Sequence, residues 1–328
     1  MTVALEQPRT ISDRTPLARD LAEALAHGPA ELTDLSGREP SGRRDRALTL
    51  RRIHELHTAP LAQVGDRVRW QHHPVVAELK QRLEASWIAE LDALAVASVP
   101  PEDAAAEMRA LAARDRSPAI YRWVADEAPW DAAMRFLALE GGPDDLFDDL
   151  VALCQVGLPL GSAKMELAGN YWDELGNGEY AKVHNVLYRR FVEAVDLPTI
   201  VDIDQPTEAL ERAALLGLVA TNRALQPEMV GALGLIELEA GPHCRYVDRG
   251  LGRLGASDEA REFYQMHAVV DPVHGQGWLE NAVGPLVTEH PDWGPRILRG
   301  ARWKSLVNNR FFEWAQRTLA TAASGASS

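Results

Sequence analysis

Arg261 to Asn281 reads REFYQMHAVVDPVHGQGWLEN, and within it His267, Asp271 and His274 stand at the spacing H-x3-D-x2-H. At about 3.6 residues per turn, steps of three, four and seven return side chains to one face of a helix. Two imidazoles and a carboxylate on one face converge on a point with coordination positions left over, a donor set suited to non-haem iron or another first-row divalent metal. The same spacing also describes a polar helix face on which two His and an Asp fall together by chance. Pro272 removes an amide and presses on the carbonyl four residues back, so a kink is expected inside the motif.

The rest of the chain sets the bounds for that stretch. With 328 residues, 46% of them apolar and 25% charged, it can bury a large core as one domain with an extension or as two domains. A formal net charge of −14 repels phosphate backbones, which argues against nucleic acid as a partner. Met1–Thr15 lacks an apolar run behind a basic start, and no window reaches about eighteen uninterrupted apolar residues. Neither export nor membrane spanning is expected, and the cytoplasm is the expected compartment. Cys154 and Cys244 make no CxxC pair, and Cys154, in VALCQVG, reads as a buried thiol.

Periodicity predicts helices almost throughout. Residues 1–66, punctuated by Arg, Pro and Gly, read as an N-terminal extension, partly helical, with one helix near Pro16–Ala26 and a loop at Leu35–Arg44; residues 67–328 read as the main domain. His54 and His57, one turn apart in RRIHELH, are expected on a solvated face, because no carboxylate stands in register with them. His72 and His73 before Pro74 mark a helix start. The predicted helices that follow are Val75–Leu94, Pro101–Ala113, Pro118–Asp126, Trp130–Leu139, Phe147–Val156, Pro206–Arg223, Met229–Ala240, Cys244–Leu254, Asp258–Val283 and Asn308–Ala323, with Leu197–Asp204 a loop. The fold class expected is all-α.

Three further stretches place acids and a His where a metal can use them. In Glu166–Phe191, Glu174 closes one helix, the Gly176-Asn177-Gly178 turn breaks it, and His184 lies in the next helix, so the two can face one point. His184, beside Val183, Leu187 and Tyr188, also fits a core histidine bonded to a carbonyl. In Gly231–Glu239, Glu237 lies among Leu233, Leu235, Ile236 and Leu238 and needs a partner or a metal, while Glu239, about 200° around the helix, is expected on the wet side. In Phe136–Asp149, Glu140 ends an apolar helix and is chosen for the site with Asp148 as the fallback; Asp144 and Asp145 look like caps.

Together, Glu174 and His184 in W-x-E-L-G-x-G-x5-H, the isolated Glu237 and H-x3-D-x2-H resemble the haem-oxygenase-like dimetal oxidases, also described as iron-containing redox enzymes. FDDLVALCQVGLP followed by ELAGNYWDELGNG resembles members of that family too, and the resemblance covers roughly Trp70 to Trp314. It implies a haem-oxygenase-like helical bundle that binds two irons between its core helices. It further implies that Glu140, His184 and His274 hold one iron, that Glu237, His267 and Asp271 hold or bridge to the other, and that Glu174 is an additional carboxylate.

Such a ligand set nearly neutralises two Fe(II) ions and leaves room for O2, which is then reduced to a peroxo species between the metals. The expected function is an O2-dependent diiron oxidase or oxygenase performing C–H oxidation, desaturation or N-oxygenation on a small amino-acid-like molecule in specialised metabolism. Tyr171, Arg189 and Tyr264 are the candidate substrate contacts, an Arg being able to grip a substrate carboxylate bidentately; Arg189 facing only solvent is the competing reading. The partners expected are the small-molecule substrate, an external electron donor and a second copy of the chain. The alternatives are a metal-independent thiaminase-like or cofactor-maturation enzyme on the same bundle, and a non-catalytic iron-binding protein, although ferritin-like proteins place Glu-x2-His pairs that are missing from these stretches.

Overall fold

The structure is a computed structural model that describes residues 16–95, 103–141 and 147–322; Met1–Thr15 and the caps expected at Asp144 and Asp145 lie outside the described residues. All regular structure among the described residues is helical. The chain begins with α1 (Pro16–His27), α2 (Pro29–Thr33), α3 (Arg43–Thr58), α4 (Leu61–Val64) and a 3-10 turn at Gly65–Trp70, followed by α5 (Pro74–Leu94). Next come α6 (Ala104–Asp115), α7 (Ala119–Asp126), α8 (Trp130–Glu140), α9 (Phe147–Cys154), α10 (Ser162–Glu174), α11 (His184–Val195) and α12 (Thr207–Ala220). The long helices α13 (Gln226–Arg253) and α14 (Asp258–Gly277), then α15 (Gly284–Glu289) and α16 (Trp293–Ala315), complete the bundle.

One stretch runs on where a break was expected, and another runs on through the proline where a kink was expected. Helix α13 passes through Pro242 and joins the segments expected at Met229–Ala240 and Cys244–Leu254. An interior proline costs about 3 kcal/mol, but this helix packs against α14, α16 and α7, and that burial keeps it continuous through the defect. Helix α14 likewise continues through Pro272, and the hydrogen-bond ladder widens only afterwards, as a π turn at Trp278–Val283. The last helix begins at Trp293 instead of Asn308, because Pro295 falls in its first turn and Gly300 serves packing. A Cβ at Gly300 would stand 1.9 Å from the Glu228 carbonyl oxygen, and one at Gly231 would stand 1.8 Å from that of Ile297. The glycines therefore let α13 and α16 touch backbone to backbone.

The N-terminal helices are tied to this bundle. Asp45 of α3 accepts hydrogen bonds from the Leu17 and Ala18 amides and so caps α1. Leu17, Leu21, Leu50 and Ile53 share one apolar cluster with Leu79, Leu83 and Trp87 of α5, Leu215 of α12 and Trp303 of α16, from both sides of position 66. His54 is not on a solvated face: it is 2% exposed, and its Nε2 lies 2.7 Å from Glu84 of α5, which Lys80 and Asn222 also engage. The carboxylate it needed stands thirty residues away in sequence, beyond the reach of any local pattern. No helix of the described residues is long and apolar enough to cross a membrane.

Candidate metal centre

Glu174 is the last residue of α10 and His184 the first of α11. The intervening turn is tight because Gly176, Asn177 and Gly178 all adopt positive φ, at 64°, 54° and 85°. A Cβ on Gly176 would stand 2.6 Å from the Lys182 carbonyl carbon, so only glycine fits. The fold-back brings His184 Nδ1 to 2.6 Å from Glu174 Oε2. The angle is wrong for a hydrogen bond, and His184 Nδ1 is buried with no hydrogen-bond partner among the described residues.

The other donors come from the α13–α14 pair, where a Cβ on Gly241 would meet the Pro272 ring at 2.8 Å. His267 Nδ1 donates to the Phe263 carbonyl one turn back at 2.8 Å. Since a carbonyl only accepts, that bond fixes the proton on Nδ1 and leaves Nε2 as the nitrogen for a metal. The His267 and His184 rings meet edge-on, with centroids 4.5 Å apart. His274 Nε2 lies 3.0 Å from Asp173, and its Nδ1 lies 3.5 Å from Glu237 Oε2. Glu237 Oε1 accepts from Asn170 at 2.8 Å. Asp271 is buried and lines the same chamber.

These side chains make two donor groups, Glu174–His184–His267 and Glu174–Glu237–His274, in each of which the ligand atoms lie within 4.8 Å of one another. Glu174 belongs to both. The pairing differs from the one implied by resemblance: His184 sits with His267 and not with His274. Burial, with Glu237 next, pushes the Glu174 carboxyl well above its usual range. Burial lowers His184 to about 4; burial, reinforced by His184, lowers His267 to about 3. Burial also opposes charge on His274, but Glu237, Asp173 and Glu174 outweigh it and hold its pKa near 9. Two neutral imidazoles, His184 and His267, a third, His274, that keeps its proton only through the carboxylates around it, and costly buried carboxylates make a donor set that fits divalent cations.

Glu140 does not join these groups. Its carboxylate accepts from the Tyr121 hydroxyl at 2.9 Å and from Arg212 at 3.3 Å, and Arg212 also donates to the Glu140 carbonyl. Asp148, in the first turn of α9, accepts from Asn185 beside His184 at 3.0 Å, and its charge bears on Glu174 and His184. The fallback carboxylate is therefore the one at the donor cluster. Of the candidate substrate contacts, Tyr264 is buried and lines the chamber. Arg189 is exposed and borders a different cavity, and Tyr171 packs against another apolar cluster. Cys154 is buried, which pushes its thiol up to about 12 and leaves it unreactive at neutral pH.

Beside the donors lies a chamber of about 100 Å³. One part of its wall is polar: Tyr121, Arg212, Glu239, Lys304 and Asn308, with His243 stacked on Tyr121 at 4.2 Å. Glu239, expected on the wet side of its helix, is 2% exposed. Ile236, Ala240, His243 and Val247 form the stripe of α13 that faces the chamber, and Glu237 and Glu239 are its two edges. A separation of about 200° thus puts one carboxylate on each side of a space that wraps the helix. Burial, with Asp115 next, pushes the Glu239 carboxyl up to about 8 against the pull of Lys304 and Asn308. The sequence reading passed over Asp173, Arg212, Lys304 and Asn308.

Comparison with known proteins bears on the family of the chain. Nitrosourea synthase from Streptomyces achromogenes subsp. streptozoticus is 27% identical over 192 residues, which are 57% of this chain and 40% of that protein, so the chain spans less than half of its relative's length. A family model for iron-containing redox enzymes matches residues 136–308, more than half of the chain and the whole span from Glu140 to Asn308. The chain belongs to the family of iron-containing redox enzymes.

Proposed function

We propose that this chain is an O2-dependent diiron oxidase or oxygenase that acts on a small amino-acid-like molecule, by C–H oxidation, desaturation or N-oxygenation, in specialised metabolism. The observation that carries the reading is the sharing of Glu174 by two donor groups, each completed by imidazole. The relative is named a nitrosourea synthase, and the nitroso group in that name is an oxidised nitrogen, which supports N-oxygenation among the three chemistries.

Glu174, His184 and His267 would hold one iron, and Glu174, Glu237 and His274 the other, with Asp271 in the chamber wall and Asp148 on Asn185 as further carboxylates near them. When bound there, two ferrous ions would supply the electrons that O2 activation needs. The chain's own residues position and insulate. The Phe263 carbonyl holds His267 in the tautomer that offers Nε2, Asp173 orients His274, and Asn170 holds one oxygen of Glu237. Phe147, Ile236, Val247, Phe263 and Phe312 line the chamber and keep water from it. Glu174 stands at a helix end beside a glycine turn, and it is the one residue common to both donor groups.

The test is anaerobic titration of the protein with Fe(II), a count of bound iron, and then O2 uptake with a panel of small amino acids and amines. About two irons per chain and O2 consumption accelerated by at least one compound are expected. Stoichiometric iron without acceleration by any compound supports storage instead, and no stoichiometric iron supports a metal-free enzyme; either result overturns the proposal.

A further inference from the structure

The polar wall of the chamber contains an unanswered acceptor. Glu239 Oε1 is buried and has no hydrogen-bond partner among the described residues, and Oε2 receives only a long bond, 3.3 Å, from Asn308 Nδ2. A buried carboxylate oxygen left this way costs free energy on the order of a lost charged hydrogen bond. The nearest guanidinium does not serve it. Arg212 gives Nε to Asn308 Oδ1 at 3.1 Å, both terminal nitrogens to Glu140, and its face to the Phe311 ring at 4.7 Å. Arg212 and Glu140 thus answer one another, and Lys304 in the same wall attracts the Glu239 carboxyl without a hydrogen bond to Oε1, which is left facing the chamber. Tyr121 and His243, stacked on each other, and Phe312 stand in the same wall as flat surfaces against which a planar or compact cation can rest.

We propose that Glu239 anchors a positively charged nitrogen group of the substrate, a primary ammonium or a guanidinium, in the same chamber as the metal donors. Such a group brings two or more N–H donors to the orphaned oxygen, and its positive charge adds to that of Lys304 in the same wall and so favours the ionised form of the carboxyl. The assignment rests on the chamber being the substrate site. It narrows the substrate class from amino-acid-like molecules in general to those that present a cationic nitrogen to α13, with the reacting atom reaching the donors on α10, α11 and α14.

Three probes of equal length separate charge from apolar contact: n-hexylamine, n-hexanol and n-hexanoate. Binding is measured by calorimetry on protein loaded anaerobically with Fe(II), so that the carboxylates of the metal centre are already taken. Hexylamine is expected to bind at least about tenfold more tightly than hexanol, and hexanoate most weakly. Glu239→Gln, which keeps the shape and removes the charge, is expected to bring hexylamine down to the level of hexanol with iron content unchanged. Hexanoate binding as tightly as hexylamine in the wild-type protein, or Glu239→Gln leaving the preference intact, would overturn the proposal. The wild-type ranking decides the matter even if the variant fails to fold. Should the protein take up no iron, the diiron reading fails on its own. The same ranking is then measured on metal-free protein, with Glu237→Gln as the control for amines caught by the metal donors: a preference lost in Glu239→Gln and kept in Glu237→Gln upholds the anchor, and the reverse refutes it.

Discussion

Replacing Gly241 by alanine tests whether the contact between α13 and α14 sets the metal centre. The new Cβ would stand 2.8 Å from Pro272 Cδ and 2.9 Å from Cγ, against an ordinary carbon–carbon contact of about 3.5–4.0 Å. The proline ring is fixed to its backbone and cannot swing aside, so the two helices must part by up to roughly 1 Å. Alanine in a helix interior is favoured over glycine by about 1 kcal/mol, whereas overpacking at a rigid neighbour costs about 1–3 kcal/mol, so the net change is a loss of up to about 2 kcal/mol. Gly169, exposed in α10 with nothing within 4 Å of its added Cβ, is the control. Gly169→Ala is expected to gain about 0.5–1 kcal/mol. Because Pro272 lies between Asp271 and His274, parting the helices also displaces those donors from Glu237. Urea unfolding of both variants measures the stability difference, and iron binding measures the displacement. Gly241→Ala as stable as Gly169→Ala, with iron affinity equal to wild type, would refute the reasoning.

Other consequences follow from single side chains. Arg212→Leu leaves the partly buried Glu140 carboxylate without its cation and is expected to cost about 3 kcal/mol in urea unfolding, with much of that loss recovered in the Arg212→Leu, Glu140→Leu double variant. Glu140→Gln is expected to leave iron content at the wild-type level and Asp148→Ala to lower it, since Asp148 and not Glu140 lies beside His184; the opposite pattern from metal analysis would contradict the placement. His243 is buried, which lowers its pKa from the ordinary 6.5 to about 4, so the unfolded chain takes up a proton that the folded protein refuses between those values. Its contribution to stability is complete above pH 6.5 and is lost as pH falls toward 4, by about 3 kcal/mol. Stability against pH measured for wild type and His243→Gln should differ in slope only within that window, and parallel curves there would show that the histidine is not responsible.

What the sequence revealed and what it concealed have a common physical cause. H-x3-D-x2-H and the Glu174–His184 pair were legible because each is local: a helix face in one case, a glycine-forced fold-back in the other. Helix ends bearing Pro, Asp or Ser, such as Asp103 and Ser257, were legible within a few residues for the same reason. Glu239 was misread because periodicity assigns a wet and a dry side, whereas α13 lies between α14, α16 and α7 and has no wet side over this stretch. His54 and Glu140 depend on partners far away in sequence, Glu84 and Arg212, that no spacing rule connects. The unbroken course of α13 through Pro242 was hidden likewise, because local propensity counts the lost hydrogen bond and not the packing that offsets it.

The most direct test of the account is anomalous X-ray scattering at the iron edge from crystals grown with Fe(II) under anaerobic conditions. Two peaks are predicted, roughly 3.5–4 Å apart, one among Glu174, His184 and His267 and the other among Glu174, Glu237 and His274. A single peak, or iron bound anywhere that leaves Glu174 outside both coordination spheres, would contradict it.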